Sequence, residues 1–115
     1  MYENLLNQLR PEPAEYPACI EGLNAAAFDI NQQIADLADE ISALEELASA
    51  EASAESNADK RKARKAELLR DDERYASFKR EIRQLERDRF LLQERSHRYA
   101  REFRLIVAEH YAQVV

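Results

Sequence analysis

The chain has 115 residues, of which 35% are charged and 45% hydrophobic, and its formal net charge is −6. One glycine and three prolines are too few turn-forming residues for an all-β or α/β fold. Abundant Ala, Leu, Glu and Arg are instead typical of long helices and coiled coils. At this length we expect a single helical domain over residues 1–115.

Charge is divided unequally between the two halves of the chain. Residues 1–56 contain twelve acids and one base, whereas residues 57–115 contain sixteen bases and eleven acids. This division favours mutual attraction between two antiparallel helices. The alternative is a nucleic-acid partner for the basic half.

Nothing in the sequence suggests a membrane or an oxidising compartment. No apolar run approaches the length of a membrane span, and no basic-then-apolar leader opens the chain. The single Cys19 cannot form an internal disulfide. We therefore expect a cytoplasmic protein with no membrane partner.

Residues 2–10 are predicted to form a short amphipathic helix. Leu5, Leu6 and Leu9 mark its apolar face. The proline-rich linker 11–16 ends this helix, because proline lacks an amide donor and restricts the residue before it.

Helix one is predicted over residues 17–52, with Pro17 in the first turn, where its missing N–H costs nothing. Apolar residues recur at alternating steps of three and four, which is the heptad spacing of a seam along one side of a helix. The seam residues are Ile20, Leu23, Ala27, Ile30, Ile34, Leu37, Ile41, Leu44 and Ala48.

A turn is predicted at residues 53–57, where no large side chain remains to be buried. Ser56 is the expected N-cap of the next helix, with Asp59 reaching back as in a short capping box. Because no glycine marks the turn, the alternative is one continuous helix through this segment, forming a long dimeric rod.

Helix two is predicted over residues 58–112, with a kink near residues 70–73. Its seam residues are Leu68, Tyr75, Phe78, Ile82, Leu85, Leu92, Tyr99, Phe103 and Ile106. Arg89 and Ser96 occupy the same seam as polar residues. They either fix the pairing register at a cost in stability, or Arg89 extends past Leu23 into water.

The two seams match when helix two folds back along helix one. With Ser56 at the turn, Ile30 faces Ile82 and Leu23 faces Arg89. The same register places Leu6 against Ile106 and Leu9 against Phe103. The sequence therefore predicts an all-α antiparallel two-helix coiled-coil hairpin, with a short N-terminal helix folded onto its far end.

A hairpin of this size leaves large apolar residues uncovered, so we expect a homodimer that forms a four-helix bundle. The candidate partner interface consists of Phe28, Leu47, Phe90, Leu91, Leu105, Val107 and Tyr111. The function predicted from this pattern is a non-enzymatic protein-interaction or scaffold module with an unknown protein partner.

The alternative function is accessory nucleic-acid binding without sequence specificity. Basic side chains at the hairpin tip and along the outer face of helix two would contact phosphates. The candidate contacts are Lys60, Arg61, Lys62, Arg64, Lys65, Arg80, Arg83, Arg87, Arg98 and Arg101.

No catalytic, cofactor or metal site is predicted. Glu94 and His97 have the Glu-x-x-His spacing of di-iron bundles, but arginines share their face and the motif is not repeated. Cys19 has no His or Asp nearby in sequence, and residues 71–73 lack the spaced ligands and the glycine of a calcium loop. We therefore expect a protein that is not an enzyme.

Three short motifs carry a family resemblance. They are Tyr16-Pro17-Ala18, Asn57 followed by Arg61-Lys62-Ala63, and Asp72-x-x-Tyr75. In these the chain resembles uncharacterised small helical-hairpin, coiled-coil proteins of bacterial and phage or mobile-element origin. The resemblance implies a hairpin and implies nothing about activity.

Overall fold

The structure is a computed structural model that describes residues 2–6 and 10–114. Its elements are α1 (Glu3–Leu6), a turn of 3-10 helix (Pro13–Glu15), α2 (Tyr16–Ala52), α3 (Ala58–Asp71) and α4 (Glu73–Val114). The described residues contain no strand, so the prediction of an all-α protein is confirmed. Leu9, predicted to pack on helix two, lies outside the described residues.

The segment between α2 and α3 interrupts the helix. The Ser53 amide and hydroxyl both donate to the Ala50 carbonyl, at 3.3 and 2.6 Å, and satisfy an acceptor at the end of α2. Residues 53–57 are not helical, so the alternative of one continuous helix is wrong.

The N-cap of α3 is Asn57, and the prediction of Ser56 is wrong. The Asn57 backbone is extended, and its side-chain oxygen accepts from the Lys60 amide at 2.9 Å. Ser and Asn are both good N-caps, so the identity of the cap depends on which of the two residues keeps the extended backbone.

A second interruption separates α3 from α4 at Asp72. This residue has extended dihedral angles (φ −87°, ψ 110°), within the segment where a kink was predicted. Its carboxylate accepts from the Arg74 amide at 2.9 Å and from the Arg74 guanidinium at 3.2 and 2.9 Å. The Asp72 carboxylate therefore accepts from an amide at the start of α4 that has no partner within the helix, and it also binds the Arg74 guanidinium.

The chain divides into two compact units. Unit 1 comprises residues 1–31 and 86–115, and unit 2 comprises residues 32–85. In unit 1 the largest fully buried side chains are Tyr16, Leu23, Ile30, Leu92 and Tyr99.

Unit 2 buries its seam less completely. Leu44, Ala48, Ala52 and Leu85 are buried. Seven other seam residues are only half-buried: Ile34, Leu37, Ile41, Leu68, Tyr75, Phe78 and Ile82.

Within unit 1, α2 and α4 pair in opposite directions, but not in the predicted register. Ser96 donates to Asn24 at 2.7 Å and Arg89 donates to Asn31 at 2.8 Å. The pairing of Arg89 with Leu23 is therefore wrong. A heptad seam can slip by a whole repeat with little loss of apolar contact, and these two polar pairs, seven residues apart on each helix, select one register.

Leu6 of the N-terminal segment lines a surface depression with Leu91, Arg95 and Arg98 of α4. The predicted contact of Leu6 with Ile106 stays a prediction.

Candidate interaction surfaces

Tyr16 joins three parts of unit 1. Its side chain is 0% exposed, and its hydroxyl donates to Glu102 Oε2 at 2.8 Å. The same hydroxyl accepts from Arg10 Nε at 3.1 Å. One buried phenol therefore connects the N-terminal segment, the start of α2 and the C-terminal part of α4.

The Tyr16 ring also completes the aromatic end of the core. It meets the edge of Tyr99 with ring centroids 5.6 Å apart and an interplanar angle of 81°. It stacks on Phe103 with centroids 6.0 Å apart and an angle of 25°. Both arrangements are favourable for aromatic pairs.

Glu102 is the charged centre of this cluster. Besides the Tyr16 hydroxyl, it accepts from Arg98 Nε at 3.2 Å, and Arg10 Nε lies 3.9 Å from its Oε2. The hydrogen bond from Tyr16 lowers the pKa of Glu102, with smaller contributions from Arg98 and Arg10, whereas partial burial opposes the shift. Hydrogen bonding to Tyr16 raises the pKa of Arg10.

Sequence reasoning used Tyr16 only as the start of helix one and missed its role in the core. The signal was present, because Tyr16 precedes Ile20 by four residues and Leu23 by seven. The three-four alternation therefore continues one step towards the N-terminus.

The residues of the candidate partner interface divide between the two units. Phe28, Phe90, Leu91, Leu105 and Tyr111 are exposed in unit 1, and Val107 is half-buried there. Leu47 is exposed in unit 2, and Val114 is exposed in unit 1.

Two shallow depressions adjoin these apolar residues. One, of about 450 Å³ in unit 1, is lined by Leu6, Leu91, Glu94, Arg95, Arg98 and Arg101. The other, of about 440 Å³ in unit 2, is lined by Leu44, Leu47, Ala48, Glu51, Leu68, Leu69, Asp72 and Arg74.

The candidate nucleic-acid contacts also fall in both units. Lys60, Arg61, Lys62, Arg64 and Lys65 lie on α3 in unit 2. Arg80 and Arg83 belong to unit 2, and Arg87, Arg98 and Arg101 to unit 1.

Arg61, Arg64 and Arg98 are among the candidate contacts that are engaged within the protein. Arg64 forms ion pairs with Glu51 at 3.8 Å and Glu67 at 3.3 Å. Arg61 donates to the Glu55 carbonyl, and Arg98 is held by Glu102.

Glu94 and His97 are both exposed on α4. Across residues 2–6 and 10–114, no group of three or more His, Cys, Asp or Glu side chains is placed to hold a metal ion. Cys19 is a half-buried free thiol.

The chain matches no protein-family model, no curated protein and no solved structure. In the described part of the chain, no helix is both long and apolar enough to cross a membrane.

Proposed function

We propose that the protein is a non-enzymatic interaction module in the cytoplasm, a coiled-coil helical hairpin that dimerises into a four-helix bundle. The observation that carries this proposal is the exposure of large apolar side chains. Phe28, Phe90, Leu105 and Tyr111 are all more than 60% exposed, as is Leu47 in unit 2. A contiguous exposed patch of such side chains is typical of a surface that binds another protein.

Two features support the hairpin. Asn24 and Asn31 of α2 bond to Ser96 and Arg89 of α4, so the order of contacts is antiparallel in unit 1. The non-helical residues 53–57 supply a place for the chain to reverse.

The incomplete burial of unit 2 supports the dimer. Its half-buried seam residues include Leu37 and Phe78, at positions that a packed bundle would cover. A second copy is the simplest source of that cover, since homodimers with two-fold symmetry are the commonest oligomers.

Sedimentation velocity on the wild-type protein over a hundredfold range of concentration tests this function. We expect a concentration-dependent shift from the mass of one chain, 13.4 kDa, to twice that mass. A single compact monomer at every concentration would remove the dimer from the proposal.

A second candidate function rests on the basic start of α3. Lys60, Arg61 and Lys62 are exposed near the N-terminus of this helix, where the helix dipole disfavours positive charge. Cations at this place are stabilised when phosphates of a nucleic acid approach them.

Retention on immobilised DNA and RNA tests the second candidate. We expect binding at low salt that weakens steeply with added salt, and further weakening in a K60A/K62A variant. The K79A variant is a control, because Lys79 lies over the Tyr75 ring on α4 and not on α3. No retention at low salt would exclude nucleic-acid binding.

A further inference from the structure

Non-helical residues bound α3 at both ends. Residues 53–57 precede it, and Asp72, with its extended backbone, separates it from α4. At the start of α3 the Asn57 side chain accepts from the Lys60 amide at 2.9 Å. At its end the Asp72 amide donates to the Leu69 carbonyl at 3.3 Å. Local residues therefore cap both ends of α3, and a change of dihedral angles at either boundary can reorient it without breaking its helix.

The apolar contact of α3 with α2 is small. None of its residues, 58–71, is buried. Leu68 and Leu69 are half-buried and line the depression of unit 2 together with Leu44 and Ala48 of α2. Elements with few buried apolar contacts open before the rest of a protein does. Apolar packing therefore holds α3 against α2 only weakly.

Opposite charges provide a second attraction between the two helices. Residues 60–65 of α3 contain five cations and no acid, whereas residues 36–51 of α2 contain six acids and no base. Arg64 lies 3.8 Å from Glu51. Lys65 shares a surface depression of about 360 Å³ with four residues of α2: Ser42, Glu45, Glu46 and Ser49. Attraction between exposed charges of this kind is screened by salt.

We infer that α3 is a hinged flap, which charge closes over α2 and salt opens, and which turns about residues 53–57 and Asp72. Opening separates the cations of α3 from the acids of α2, so both charged surfaces become available to other molecules. It also uncovers Ala48, which is only 6% exposed in the closed form. The inference concerns one unit of a single chain, so it goes beyond the proposed dimer and does not rest on it.

Cysteine labelling tests the opening. Ala48→Cys and Ala27→Cys are made separately in a Cys19→Ser background, and circular dichroism checks that each variant is folded. The two alanines form a matched pair, because both lie on α2 and both are 6% exposed, but Ala27 belongs to unit 1. We expect iodoacetamide to label Ala48→Cys at least about tenfold faster, since α3 opens while unit 1 stays folded. Equal labelling rates would overturn the flap.

Salt and charge reversal test what closes the flap. Added NaCl should raise the labelling rate of Ala48→Cys and leave that of Ala27→Cys unchanged. At low salt, Glu51→Lys should raise the rate at Ala48→Cys by about two- to fivefold, the usual effect of an exposed ion pair. Glu21→Lys is the control, because Glu21 is an exposed acid of α2 in unit 1. A rate that neither salt nor Glu51→Lys changes would overturn closure by charge.

Hydrogen exchange tests the flap in the wild-type protein at low concentration. A helix of 14 residues is marginal in water without packing, so the amides of α3 exchange once it is released. We expect residues 58–71 to exchange at least about tenfold faster than the residues around Leu92. The same exchange rate in both regions would overturn the flap and leave the proposed dimer standing. A wild-type protein that is monomeric at every concentration would overturn the dimer and leave the flap standing.

Discussion

The Tyr16 hydroxyl donates a 2.8 Å hydrogen bond to Glu102, a residue 86 positions later in the sequence. This bond joins the first turn of α2 to the C-terminal part of α4. Because Tyr16 is fully buried and also accepts from Arg10, a single side chain holds three segments of unit 1 together. The stability of unit 1 should therefore depend strongly on this one phenol.

Tyr16→Phe is expected to lower the free energy of unfolding by about 1–3 kcal/mol, the usual loss for a hydrogen bond to a charged group. The ring and its contacts with Tyr99 and Phe103 remain in this variant. Urea denaturation followed by circular dichroism measures the change. Tyr99→Phe is the control and should lose less stability, because the Tyr99 hydroxyl accepts only a long hydrogen bond, 3.5 Å, from Arg95 Nη1. Equal losses in the two variants would contradict this role for Tyr16.

The low pKa of Glu102 predicts a pH dependence. Its pKa in the folded protein lies below its ordinary value of 4.5, so its ionised form stabilises the fold above about pH 4.5. That contribution is lost as the pH falls through the folded pKa. Glu102→Gln should therefore flatten the acid side of the stability profile, whereas the exposed Glu94→Gln should not. Parallel acid profiles for wild type and Glu102→Gln would refute the assignment.

The N-cap of α3 gives a third prediction. Asn57→Ala should cost about 1 kcal/mol, because the Lys60 amide loses its acceptor. Ser56→Ala, one residue earlier, should change the stability by much less. Thermal or urea unfolding of the two variants measures the difference, and a larger loss for Ser56→Ala would show that the cap is misassigned.

Gly22 offers a stabilising substitution. It lies inside α2 without positive φ, and a Cβ placed on it meets no atom within 4 Å. Gly22→Ala should therefore raise the free energy of unfolding by about 0.5–1 kcal/mol, through helix propensity and a less flexible unfolded chain. A destabilised Gly22→Ala protein would mean that this part of α2 is packed more closely than the structure indicates.

A double mutant of Ser96 and Asn24 tests the register. Ser96 is 4% exposed and its hydroxyl bonds to Asn24, so single substitutions to Ala should each cost stability. The double mutant should lose less than the sum of the two, with a coupling of about 0.5–1.5 kcal/mol. Strict additivity would indicate that the two side chains do not interact.

Periodicity was sufficient to predict the helical class and the side of each helix that is buried. Seam residues such as Leu23, Ile30 and Leu92 are fully buried. This succeeded because a three-four repeat of large apolar residues admits one secondary structure and one buried side.

The register and the caps required information that apolar periodicity does not contain. A heptad seam looks the same after a shift of one repeat, and the hydrogen bonds of Ser96 and Arg89 to Asn24 and Asn31 distinguish the alternatives. Ser56 and Asn57 are both suitable caps, so backbone geometry decides between them.

Small-angle X-ray scattering on the wild-type protein, over a range of concentrations, tests the proposed self-association most directly. The forward scattering should rise to twice the mass of one 13.4 kDa chain. A mass of one chain at every concentration would contradict self-association.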